Sequence, residues 1–101
     1  MVRRKPQKPQ RIGDVLAAVV QQAAQRYATV SMLQRRWSRL VGKPLAAHTK
    51  PMSLRRGQLV VHTDQPGASF ALSYERARLM ERLQQATKGK VKELVIRPGE
   101  L

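Results

Sequence analysis

The segment from Arg35 to Pro51 constrains this chain most. It holds the only tryptophan, a glycine placed to stop a helix, and two prolines that bracket the change from helix to strand. Val30, Leu33, Trp37, Leu40 and Val41 recur at i, i+3, i+7, i+10 and i+11, the buried stripe of an amphipathic helix. Arg36, Arg39 and Lys43 fall at i, i+3 and i+7 on another face. Gly42 can take the left-handed conformation that closes a helix, and Pro44 cannot continue one. One helix thus anchors a core and displays a cationic stripe.

Elements on either side are set by caps and periodicity. Met1 to Arg11 carries Pro6, Pro9 and little to bury, and reads as a disordered basic arm, leaving residues 12–101 as one domain. Asp14 is placed to cap a helix running to about Arg26, with Val15, Leu16, Val19, Ala23 and Tyr27 as its apolar face. Thr29 or Ser31 can cap the Trp37 helix, so the two helices are expected to form a hairpin. After one helical turn at most, Pro51 pushes Lys50 toward extended backbone. Met52 and Leu54 alternate with Ser53 and Arg55, and Leu59, Val61 and Thr63 alternate with Val60 and His62, around an Arg55-Arg56-Gly57-Gln58 turn. Asp64-Gln65-Pro66-Gly67 ends the second strand. Ala68 to about Lys88 reads as one long helix, with Leu72, Leu79, Leu83 and Ala86 inward, flanked by Phe70, Ala77 and Met80. Its i,i+3 pairs, Glu75 with Arg78 and Arg78 with Glu81, are worth only ~0.2–0.5 kcal/mol each, so packing must hold it. Gly89 stops it, and Val91 to Arg97 returns as a β-branched strand, Leu94 and Ile96 on one face and Val95 on the other. The order α-α-β-β-α-β implies an α+β domain, a three-stranded sheet packed on helices.

Charge narrows the function classes. Lys and Arg number 20 against 6 acidic residues in 101, a formal net charge of +14. Such an excess strains the folded state by self-repulsion and is most readily understood if a polyanion neutralises it. No apolar run approaches the ~20 residues of a spanning helix, and no hydrophobic segment follows the charged start, so neither a membrane nor secretion is expected. The absence of cysteine excludes disulfides and thiolate chemistry and fits a cytoplasmic chain.

The search for chemistry returns negatives. Glu75 and Glu81 point to different sides of their helix. His48 and His62 stand in no ligand-spaced cluster, so no metal is expected; His48 reads as a structural histidine and His62 as a sheet-face neighbour of nucleic acid or solvent. The glycines fall into neither G-x-G-x-x-G nor P-loop spacing. The chain therefore reads as a binding protein, not an enzyme, with no cofactor and no small-molecule substrate.

The basic residues are the positive signal. Arg36, Arg39 and Lys43 on the Trp37 helix, Lys50 where the strands begin, and Arg55 and Arg56 at the hairpin tip are expected to converge on one side of the domain. Arg3, Arg4, Lys5 and Lys8 of the arm can close on phosphates beside them. Such contacts give affinity that depends steeply on salt and little on sequence. Trp37 and Phe70 are expected in the core, so stacking on an aromatic-rich sheet is not.

The run Trp37-x-x-Leu40-Val41-Gly42-x-Pro44-Leu45-Ala46-x-His48-Thr49-x-Pro51, then Leu54-x-x-Gly57-x-Leu59-x-Val61, a helix opening near Phe70 and the closing Val95-Ile96-Arg97-Pro98-Gly99 resembles the DciA family of bacterial replicative-helicase loaders. The resemblance covers essentially everything after Arg11. It implies a KH-like domain (pseudo type II), DNA binding, single-stranded and also duplex, and contact with a DnaB-type hexameric helicase. No two glycines have the G-x-x-G spacing of nucleic-acid-gripping KH loops, so that loop is not carried over. The expectation is a cytoplasmic, nucleoid-associated accessory factor of DNA replication. A KH-like, ribosome-associated RNA-binding protein and a purely structural protein partner remain the alternatives.

Overall fold

A computed structural model describes residues 4–101, with side chains from Gly13 onward. Of the disordered basic arm expected over residues 1–11, residues 1–3 lie outside the described residues, whereas the backbone of residues 4–11 is helical, Pro6 and Pro9 included. Helix α1 spans Arg4–Arg35, followed by two short helices, α2 (Trp37–Val41) and α3 (Lys43–Ala46). Strands β1 (Thr49–Arg55) and β2 (Gln58–Thr63) form the hairpin. Helices α4 (Pro66–Tyr74) and α5 (Arg76–Thr87) lead to β3 (Glu93–Pro98).

The expected α+β class and three-stranded sheet are present. The strand order is β1-β2-β3, with β1 antiparallel and β3 parallel to β2. The parallel pair is dictated by the route of the chain, because a strand arriving through helices crosses back before pairing. Leu54, Leu59 and Leu94 stand side by side across the sheet, as do Pro51, Val61 and Ile96. These rows meet Val30, Leu33, Trp37, Leu72, Leu79, Leu83 and Val91 in one core. The other face carries Lys50, His62 and Arg97 in one row and Arg55, Gln58 and Glu93 in another. Trp37 is buried as its spacing requires, and its indole Nε1–H donates to Thr49 Oγ1 at 2.8 Å, which donates onward to Leu45 O at 2.7 Å.

Several expectations about the helices are corrected. There is no helical hairpin before the sheet: α1 runs unbroken through Tyr27, Ala28 and Thr29. No glycine or proline interrupts residues 14–35, and Thr29 Oγ1 donates back to Gln25 O at 2.8 Å instead of capping a new helix. Asp14 lies inside α1 and caps nothing, and Val15, Leu16, Val19, Ala23 and Tyr27 are exposed, not packed. The Trp37 helix is interrupted at Arg36 (φ −102°, ψ 7°), whose N–H still reaches Met32 O. Gly42 has a positive φ (90°) with an extended ψ (151°), and Pro44 sits in the first turn of α3. The expected long helix is two, α4 beginning at Pro66 and the break falling at Glu75. Of its two expected ion pairs, Glu75 with Arg78 is present, at 3.7 Å. Phe70 is 71% exposed, outside the core to which it was assigned. A β-bulge between Pro51 and Ser53 turns Met52 outward and puts Pro51 on the core face in its place.

Candidate nucleic-acid interface

The β1–β2 turn is built from two left-handed residues, Arg56 (φ 52°) and Gly57 (φ 81°). Two consecutive positive φ values match the right-handed twist of a two-residue hairpin, and asparagine and glycine are the residues that accept them most readily. An arginine there is uncommon. The same pattern closes α5, where Lys88 (φ 55°) and Gly89 (φ 82°) are left-handed and Gly89 N–H donates to Gln84 O at 2.8 Å. Among the described residues, Arg56 and Lys88 are the only non-glycine residues with positive φ.

Backbone hydrogen bonds hold these two turns together. Gly57 O accepts from the N–H of Lys92 at 2.6 Å and of Glu93 at 3.0 Å. The Lys92 side chain lies so close over Gly57 that an added Cβ would stand 3.2 Å from its carbons. Thr87 Oγ1 donates to Leu83 O and accepts from Val91 N–H, fixing the buried Val91 between exposed Lys90 and Lys92. On the third side, Gln34 Nε2 donates to Pro51 O at 2.8 Å and joins α1 to β1. This arrangement sets Arg26 of α1 beside the hairpin tip.

A groove of about 570 Å³ results, lined by Arg26, Arg56, Lys88, Lys90 and Lys92, with Gln22 and Gln25 along one wall and Thr29, Leu54 and Gly57 among its lining. A second, of about 600 Å³, shares Arg26 and Arg56 and adds Arg55, Gln58 and Glu93. Among the described residues, Arg78 is the only lysine or arginine with a carboxylate within 4.0 Å. The groove cations are therefore free to meet external anions. Glu93, held by Gln58 Nε2 at 2.9 Å, is the one carboxylate in either wall. No aromatic ring lines either groove, which suits phosphate contact better than base stacking.

The expected cationic set is divided. Arg55 and Arg56 line the grooves, but Arg36, Arg39 and Lys43 belong to the α1–α3 segment and line neither. Lys50 is five residues from Arg55 along β1, about 17 Å away at the rise of a strand. Arg3, Arg4, Lys5 and Lys8 fall outside the described side chains. Sequence reasoning missed Arg26, Lys88, Lys90 and Lys92. The signal was the alternation Lys88-Gly89-Lys90-Val91-Lys92, in which a buried valine throws its neighbours outward. His48 faces Asp64 at 3.1 Å, and His62 Nδ1 lies 3.1 Å from Glu100 O.

Among the described residues no helix is long and apolar enough to cross a membrane, and no group of histidine and carboxylate residues could hold a metal ion. No curated protein matches the chain. The family profile described as Dna[CI] antecedent, DciA, does match, over residues 11–96 of 101. That membership suggests a replication-associated role in helicase loading. With the match spanning the paired turns and most of the sheet and of the helices that frame the groove, this chain belongs to the DciA family.

Proposed function

We propose that this chain is a DNA-binding accessory factor of bacterial replication, which grips single-stranded DNA by its phosphates and helps to place a DnaB-type helicase on that strand. The observation that carries the DNA site is the coincidence at the groove. The two non-glycine residues with positive φ among the described residues, Arg56 and Lys88, are both cations and both line it. Backbone strain kept at two places by side chains of one charge supports a role for that charge. We read the fold as KH-like, of pseudo type II, with nucleic acid held at the hairpin tip. The protein is cytoplasmic in this reading and catalyses nothing itself; nucleotide hydrolysis belongs to the helicase. Two weak affinities on one domain, for strand and for helicase, reinforce each other.

The test compares two triple variants in binding to single-stranded DNA, duplex DNA and structured RNA at several salt concentrations. Lys88→Gln/Lys90→Gln/Lys92→Gln should weaken single-strand binding across sequences and lower the salt slope by roughly 2, at ~0.7 per lost phosphate contact. Arg36→Gln/Arg39→Gln/Lys43→Gln should do less, and the reverse ranking would move the site to α2. Tighter binding of structured RNA than of single-stranded DNA at every salt would favour the RNA-binding alternative. Helicase association should survive nuclease digestion; its disappearance would reduce the contact to shared DNA binding.

A further inference from the structure

The molecule measures 63 Å in its longest dimension against 26 and 19 Å, and a helix of 32 residues alone spans roughly 48 Å. Between Gly13 and Ala28 every residue of α1 is exposed, although the segment is mostly apolar. Val15 and Leu16 are each 60% exposed, Val19 54%, Val20 67% and Tyr27 78%. Large apolar side chains on successive turns form a contiguous patch, which soluble monomers rarely leave uncovered. Leu16, Val20, Ala23, Tyr27 and Val30 are spaced alternately by four and three residues, the seam of a two-helix coiled coil, and Val19 flanks it. Val30 already belongs to the core, so the seam continues the domain's own packing outward.

From this we propose that the exposed face of α1 pairs with the same face of a second copy of this chain, antiparallel and about a two-fold axis. Charge chooses the occupant. In a chain of net charge +14, residues 13–30 carry only two charged side chains, Asp14 and Arg26, which cancel. An acidic partner finds a single cation on this stretch, Arg26, which already lines the groove. A second cationic chain can approach here without the repulsion it meets elsewhere. Charge also chooses the direction, because a parallel pair sets two cationic domains side by side at one end, whereas an antiparallel pair sends them to opposite ends. In antiparallel register Tyr27 lies beside Leu16 of the second copy and Val20 beside its Ala23, so larger side chains meet smaller ones at the centre. Such an isologous contact closes on itself and stops at two copies.

The test is sedimentation of nuclease-treated, full-length protein at high salt, across a range of concentrations. The expected mass rises toward twice the 11.4 kDa of one chain. Leu16→Gln/Val20→Gln should leave a monomer with an unchanged circular dichroism spectrum in the tryptophan region. Because the chain has no cysteine, Leu16→Cys and Tyr27→Cys variants also report direction. A mixture of the two should cross-link, whereas Leu16→Cys alone should not, its copies standing ~16 Å apart along the axis. A monomer at every concentration, or efficient cross-linking of Leu16→Cys to itself, would overturn the proposal.

Discussion

Residues 13–28 and 29–35 of α1 carry the same kinds of apolar side chain and meet opposite surroundings. Thr29, Val30 and Leu33 in the last turns are buried against the sheet and α2, whereas Val15, Leu16, Val19 and Val20 face outward. Composition does not separate the halves; their distance from the chain's return does. Leu33 leads within about one turn to Trp37, whose indole is tied to Thr49 at the start of β1. Nothing among the described residues returns to cover Val20. Amphipathic spacing states that a surface is to be covered and leaves open by what.

The largest effect should come from the covered half. Trp37→Ala removes a side chain that is 3% exposed and should cost ~3–5 kcal/mol, leaving a domain of this size largely unfolded in a denaturant titration. Val30→Ala, at 8% exposure, should cost ~1.5–3 kcal/mol in the same measurement. A melting transition unchanged by Trp37→Ala would place the indole outside the core and dissolve the distinction between the two halves.

The same contrast shows what was legible in the sequence. The inward positions Leu33, Trp37, Leu54, Leu59, Leu72 and Leu83, the hairpin and the final strand could be read from periodicity and turn chemistry, because those signals are local. The helical hairpin could not. Thr29 looks like a cap, and whether its hydroxyl bonds forward or backward depends on whether a partner exists for Val15 to Tyr27. For the site, Arg55 and Arg56 were legible as the tip of a hairpin. Lys90 and Lys92 were missed because their position depends on Gly57 O accepting from Lys92 and Glu93, a contact more than thirty residues away in the chain.

Thr49→Val tests how firmly the covered half is joined to the sheet. The substitution conserves volume but leaves the buried indole N–H without its acceptor, so ~1–3 kcal/mol should be lost, with tryptophan fluorescence following the global transition. Arg56→Asn should act in the opposite direction at the hairpin tip. Asparagine tolerates left-handed backbone better than arginine, so the domain should gain up to ~1 kcal/mol while single-strand affinity falls. A variant that loses stability there would show that the Arg56 side chain packs more than it strains.

The smallest effect sharpens the comparison most. Val20→Ala is the same change as Val30→Ala, ten residues earlier in one helix. Val20 is 67% exposed, so little burial is lost, while alanine exceeds valine in helix propensity by no more than ~0.7 kcal/mol. At concentrations where the chain is monomeric, Val20→Ala should therefore leave stability unchanged or raise it slightly. At concentrations where two copies pair, the same substitution thins the seam opposite Ala23 of the second copy, and the melting temperature should fall. A loss comparable to that of Val30→Ala at high dilution would mean that Val20 is covered within one chain. A sign that reverses with concentration identifies the cover as a second copy.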